Sequence, residues 1–408
     1  MAALRKIPAS FLQKAGYSKL ARGFAKGAPC GARLCESLAR LALVHKGGDC
    51  LQDTRPYPGV RGSWLFRALL LLAAAVLAAL TLAPAAQAAE ASEEDVHYVV
   101  PLGNAVGIKL FAQGVLVVGL SDLTTDQGLA SPAQACGLQP GDVITHINGT
   151  PVSSIEEVQA MLQDLQGQEM TLTITRNDVS QAVTAHAARC SDDGQYKLGA
   201  WIRDSMAGIG TLTFADPETG LFGTLGHGIN DVDTAVLMKL QSGAITPASV
   251  AGVTKGQNGR PGELRGTFSA SQTLGTLYAN TRSGVFGYLQ DPEAVTGTPV
   301  PVAAEEEVHP GQATILSNVS GTQVEEYTVE ILKVYDDSQD TRDLMLRVTD
   351  QRLLDQTGGI VQGMSGSPIL QDGKLVGAVT HVLIDHADRG YGILAQNMLD
   401  QAAQSQQA

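Results

Sequence analysis

The sequence predicts a mainly β protein, with a small α+β module ahead of a larger β domain. Three observations carry this. The 408 residues include 45 glycines while aromatics make up only 5%, a balance that favours turns and short strands over long helices. Apolar and polar residues alternate in short runs bounded by Gly, Pro, Asn or Asp, the period of half-buried strands. Apolar residues make up 44% and charged residues 17%, an ordinary globular balance able to bury a core.

Charge divides the chain. Residues 1–67 hold 12 Lys/Arg against 3 Asp/Glu, and from Glu90 onward 16 Lys/Arg face 38 Asp/Glu. An acidic body repels phosphates, so a nucleic-acid partner is not expected. Between the two lies Ala68 to Ala83, an uncharged apolar run preceded by Arg61 and Arg67 and followed by Ala86-Gln87-Ala88. A positive flank, an apolar stretch and an A-x-A site read as a secretory signal over 61–89, or as a retained membrane anchor. A signal is expected near the first residue, whereas this one begins about sixty residues in. That predicts a true start near Val60 and leaves 1–60 without an assigned role. Of five cysteines only Cys136 and Cys190 lie beyond the apolar run, and neither belongs to a Cys-x-x-Cys pair. Neither a metal site nor a disulfide framework is expected, and no cofactor.

The first module is read over 97–178. Strand patterns run from Val106 to Leu110 and from Gly114 to Leu120. Then come Gly137-Leu138-Gln139-Pro140-Gly141-Asp142-Val143-Ile144 and Ile147-Asn148-Gly149, a helical pattern from Ser154 to Leu165, and a closing strand from Met170 to Arg176. Pro140-Gly141 predicts a tight turn and Asn148-Gly149 a hairpin turn. The string resembles PDZ domains, which take an extended peptide as an added strand and hold its C-terminal carboxylate in a Gly-rich loop. The resemblance implies such a loop at Val106, Gly107 and Ile108. A purely structural cap is the alternative role for the module.

A linker is read over 179–195, a catalytic domain over 196–400 and a tail over 401–408. The informative run is Gly363-Met364-Ser365-Gly366-Ser367-Pro368, followed by Leu375 to Val382. A serine between glycines in a tight turn exposes its hydroxyl. The N–H groups of Gly363 and Ser365 are expected to form an oxyanion hole. The hydroxyl needs a base. Of eight histidines, His227 in Leu225-Gly226-His227-Gly228 sits at a strand end between glycines, and His381 lies on the strand after the nucleophile. His309 and His386 fall in polar loops. For a group that orients the imidazole, Asp350 closes the strand Leu344 to Val348, with Asp231 and Asp233 as rivals.

The serine run is similar to that of chymotrypsin-like proteases, which implies a double β-barrel with the site between the barrels. The whole of 97–400 resembles the stage IV sporulation protein B peptidases of endospore-forming bacteria. The carrying strings are Ile202 to Thr211 (IRDSMAGIGT), Gly226-His227, Val348 to Leu354 (VTDQRLL), Thr357 to Pro368 (TGGIVQGMSGSP), Gly377 to Val382 (GAVTHV) and Gly390-Tyr391-Gly392. Position by position, that family's catalytic His falls on His227, its Asp on Asp350 and its Ser on Ser365. One departure is that Asp350 lies close before Ser365, whereas chymotrypsin-like enzymes place the Asp ahead of the second barrel.

The resemblance implies an exported serine endopeptidase of sporulation, acting in the space between the forespore membranes. It implies self-cleavage in trans, and a cut in a membrane-bound regulator that triggers intramembrane proteolysis and a late mother-cell sigma factor. The competing class is an exported PDZ-bearing binding protein with a degenerate protease-like domain. A PDZ-bearing metalloprotease would need His-Glu-x-x-His, which the sequence lacks.

Overall fold

The computed structural model describes residues 96–269, 272–335 and 341–407. The apolar segment at 61–89 and the stretch ahead of it lie outside the described residues. No helix among the described residues is long and apolar enough to cross a membrane.

Strand β1 (Tyr98–Pro101) leads into β2 (Ala105–Leu120), and β6 (Ala200–Ala215) later returns beside it. These two long strands run antiparallel from Leu120 opposite Ala200 to Ala105 opposite Thr211. Between them come α1 (Pro132–Ala135), β3 (Val143–Ile147), α2 (Ile155–Leu165), β4 (Glu169–Arg176) and β5 (Val179–His186). The α+β module therefore hangs from one end of a two-stranded ribbon. Its core gathers Val115 and Val117 of β2, Ile144 and Ile147 of β3, Val158 and Leu162 of α2, and Leu172 and Ile174 of β4.

Local chemistry agrees with these elements. Asn148 and Gly149 sit at φ 49° and 77°, as a hairpin turn with two left-handed central residues requires. Helix α2 starts with a capping box, in which Ser154 accepts from the Glu157 N–H and the Glu157 carboxylate accepts from the Ser154 N–H, both at 3.2 Å. Asp142, buried in the Pro-Gly-Asp turn, accepts a two-pronged bond from Arg176 at 2.6 and 2.7 Å, the geometry that suits a guanidinium fork.

The remaining strands form two barrels. The first adds β7 (Leu221–Thr224), β8 (Leu240–Thr254), β9 (Glu263–Phe268), β10 (Gly275–Thr281) and β11 (Gly284–Leu289). Pairing runs β2–β6–β7–β11–β10–β8 and back to β2, so these strands close on themselves. Val106, Ile108, Leu212, Phe222, Ile245 and Val285 fill the interior. The second comprises β12 (Gly311–Ser320), β13 (Gln323–Val334), β14 (Leu344–Val348), β15 (Pro368–Gln371), β16 (Lys374–Leu383) and β17 (His386–Leu394). It closes in the order β12–β13–β14–β17–β16–β15, with the short helix α3 (Gln351–Thr357) between β14 and β15.

Helix α4 (Ala395–Gln406) ties the barrels together. Its Met398 and Ala402 pack against Phe214 and Phe286 of the first barrel and Ala378 and Ile393 of the second. Full burial of a side chain such as Phe214 stabilises by about 1.5–3 kcal/mol.

Two boundaries read from the sequence are corrected. β1 and the first half of β2 belong to the first barrel and not to the α+β module, because β1 pairs with the end of β6 and Val106 and Ile108 lie in the barrel core. The expected linker at 179–195 begins with β5, which pairs with β4 along its whole length.

Candidate active site

The chain from α3 to β15 carries the serine. Ile360, Val361 and Met364 are buried in the core of the second barrel, so the bulky residue beside Ser365 is the anchor of its loop. The first barrel holds the same loop from the other side. Thr211 of β6, wholly buried, donates its hydroxyl to the Gly363 carbonyl at 2.8 Å and its N–H to the Ser365 carbonyl at 3.1 Å. The Met364 N–H donates to the Val361 carbonyl. The N–H groups of Gly363 and Ser365 donate to no described residue, which leaves two flanking donors for a developing oxyanion. The Ser365 hydroxyl donates to the Thr380 carbonyl at 2.8 Å.

His227 follows β7 through Leu225 and Gly226, at φ 69° and 67°. A leucine held in the left-handed region costs on the order of 1–3 kcal/mol, strain of the kind that concentrates at functional sites. His227 Nδ1 lies 2.9 Å from the Gly228 carbonyl. A carbonyl only accepts, so this bond places the proton on Nδ1 and leaves Nε2 as the base. Withdrawal of the ring from water lowers the His227 pKa, against a smaller opposing effect of the Gly228 bond.

A pH profile follows from that direction. Protonation removes the base, so kcat/KM is expected to hold its plateau to below the ordinary histidine value of 6.5 and then fall as pH drops further. An acid limb above 6.5 would contradict it. The unfolded chain takes up this proton first, so the stability this histidine contributes is lost as pH falls below 6.5.

The two loops meet. A Cβ placed on Gly366, next to the serine, would lie 2.1 Å from the Thr211 carbonyl oxygen and 2.6 Å from the Leu225 nitrogen. Ser365 and His227 line one cavity of about 280 Å³, with Gly363, Leu225, Met206 and Ile209. His227 also lines a polar cavity of about 700 Å³ with His381, Arg282, Asp343, Asn397 and Asp400. The His227 and His381 rings are 5.2 Å apart and tilted by 37°.

Asp350 is not brought to His227. Its carboxylate caps α3, accepting from the Arg352 N–H at 2.9 Å, from the Arg352 guanidinium at 2.8 and 3.1 Å, and from the Thr328 N–H at 3.3 Å. The Arg352 guanidinium holds this carboxyl below its usual range. Asp350 lines neither of these two cavities and shares no hydrogen bond with His227, whose Nδ1 faces the Gly228 carbonyl, so the hydrogen-bonded triad expected from the sequence is not formed. The buried carboxylate that shares a cavity with His227 is Asp343, which accepts from the Leu394 N–H and Asn397 Nδ2, both at 2.8 Å. The rivals serve the turn after His227. Asp231 accepts from the N–H groups of Asp233 and Thr234, and Arg203 of β6 pairs with both Asp231 and Asp233.

The peptide-binding loop expected at Val106, Gly107 and Ile108 is also corrected. These residues lie near the start of β2, paired with β6 on one edge and β8 on the other, so no edge remains for an added strand. The module's open groove lies elsewhere. A cavity of about 550 Å³ runs between α2 and the start of β6, lined by Val158, Leu162, Leu198, Gly199, Trp201 and Ile202 among others. There β6 is paired only with β2. Gln163 of α2 closes one side by bonding both the N–H and the carbonyl of Tyr196 at 2.9 Å. The sequence signal for it was Lys197-Leu198-Gly199-Ala200, a glycine among apolar residues at a strand start.

A hydroxyl, an imidazole and two unengaged amides on one groove between two closed barrels, with a PDZ-like module inserted in the first, define the framework of a serine peptidase. The chain belongs to the SpoIVB peptidase S55 family, which it matches over residues 194–399, and residues 125–176 match a PDZ domain. The zinc metalloprotease RasP of Shouchella clausii (strain KSM-K16) is 33% identical over 129 residues, which cover 30% of this chain and 30% of that protein. Among solved structures, the active form of the Rv3671c protease from M. tuberculosis is similar at 16% identity and TM-score 0.28, covering 49% of this chain and 74% of that one. The HtrA-type protease AlgW with a decapeptide is similar at 13% identity and TM-score 0.30, covering 52% and 54%.

Proposed function

We propose that this chain is an exported serine endopeptidase that cuts itself in trans and then cleaves a membrane-bound regulator, starting intramembrane proteolysis and late sigma-factor activation during sporulation. The observation that carries the chemistry is the shared groove of Ser365 and His227, with the Gly363 and Ser365 amides unengaged beside it. Family membership supports the sporulation role. The apolar run at 68–83 ahead of an acidic body supports export to the forespore intermembrane space.

In this reading the Ser365 hydroxyl turns from the Thr380 carbonyl towards His227 and attacks a peptide carbonyl. His227 Nε2 takes the proton and returns it to the leaving amine, while the Gly363 and Ser365 amides hold the oxyanion. The Gly228 carbonyl keeps the imidazole in the reactive tautomer. The groove between α2 and Ala200–Ile202 takes an extended peptide segment, of the regulator or of a second copy of this chain, as an added strand.

One observation favours the binding-protein reading: the Ser365 hydroxyl donates to Thr380 and not to His227. Mixing the full wild-type chain with the full S365A chain separates the two. The endopeptidase reading expects a new N-terminus in the S365A partner, mapped by mass spectrometry, and none when S365A is incubated alone. An intact S365A partner beside folded wild-type protein favours the binding reading.

A further inference from the structure

We propose that the apolar wall of the groove beside Ser365, formed by Ile108, Met206, Leu225 and Ile229, is a substrate subsite for an apolar side chain next to the scissile bond. The substrate reaches it as an extended chain along the open edge of β6 at Met206–Ile209. The inference rests on the reading of Ser365 and His227 given above and names the side-chain class that this site selects.

Three observations meet here. The cavity lining that includes Ser365 contains no Asp, Glu, Lys or Arg, whereas the neighbouring cavity, which holds Arg282, Asp343 and Asp400, does not include Ser365. A charged side chain entering the apolar side would lose water without gaining an opposite charge, which is unfavourable. The volume of about 280 Å³ lies at the foot of the ~300–1,000 Å³ range of small-molecule pockets, so it suits a side chain better than a free ligand. Finally, Met206–Ile209 pairs with β2 along one edge, and β7 joins β6 only from Leu212 onward. Alternate N–H and C=O groups of an antiparallel strand face away from its partner. An added chain supplies main-chain bonds there and places alternate side chains in pockets. The small exposed residues Ala207 and Gly208 leave that backbone reachable.

The test uses the full chain and two peptides identical except for Leu or Asp at a position flanking the cut, with each flanking position tried in turn. The readout is the ratio of kcat/KM for the two peptides on one preparation, so a general loss from misfolding cancels. Wild type is expected to favour Leu at one flanking position by at least about tenfold, the scale on which an apolar pocket discriminates. Met206→Lys sets an ammonium at the groove and is expected to lower that ratio at least about tenfold, while Met206→Leu keeps it within about threefold. An unchanged ratio in Met206→Lys, or a wild-type preference for Asp at every flanking position, overturns the subsite while leaving the active serine intact. Failure of wild-type Ser365 to react with a fluorophosphonate overturns the underlying reading, and the subsite with it.

Discussion

Ser365→Ala is expected to lower kcat on a cleavable peptide by about 10⁴–10⁶-fold, the range seen when the nucleophile of a serine–histidine pair is removed. That corresponds to about 5–8 kcal/mol of transition-state stabilisation. Folding should survive the change. The hydroxyl makes one bond, to the Thr380 carbonyl, and losing such a bond costs about 0.5–1.5 kcal/mol. The anchors of the loop are Met364 in the barrel core and Thr211 on the Gly363 and Ser365 carbonyls, and both remain. A residual rate within tenfold of wild type would remove Ser365 from the chemistry.

Gly366→Ala is expected to damage stability and rate together. Gly366 sits at φ 97°, a conformation that costs a side-chain-bearing residue on the order of 1–3 kcal/mol. The added methyl would also meet two rigid backbone atoms, the Thr211 oxygen at 2.1 Å and the Leu225 nitrogen at 2.6 Å. Overpacking of that kind costs about 1–3 kcal/mol or more. The loop must therefore move away from the first barrel, carrying Ser365 with it, and a 1 Å misplacement of a reacting group costs about 10²-fold in rate. We expect a loss of at least about 3 kcal/mol in denaturant unfolding together with at least 10²-fold in kcat. Gly373 provides the contrast. It has φ 80° but open space around its would-be Cβ, so Gly373→Ala should cost only about 1 kcal/mol and leave kcat unchanged.

The barrels and the nucleophile loop were legible because their signals are local. Alternation marks strands, and glycines around a serine ahead of an apolar hairpin mark an exposed hydroxyl. What failed was non-local or ambiguous. Val106–Ile108 reads as a strand start near the module, and nothing in its own residues says that β8, more than a hundred positions later, covers its second edge. Asp350 stands where a catalytic carboxylate and a helix N-cap look alike, and Arg352 two residues on decided in favour of the cap. The domain boundary failed because β2 and β6 are each shared by module and barrel. Strand β6 lines the module's groove at Ala200–Ile202, the apolar groove at Met206–Ile209, and the nucleophile loop at Thr211. A sequence pattern shows one continuous strand there, not three separate neighbourhoods.

The central claim, that the Ser365 hydroxyl is activated by the imidazole of His227 across their common groove, is tested most directly by mapping a fluorophosphonate adduct on the folded full-length chain. The expected result is a single adduct on Ser365, whose formation slows by at least about 10²-fold in His227→Ala, the scale of general-base assistance. An adduct elsewhere, no adduct at all, or an equal rate in the two proteins would contradict it.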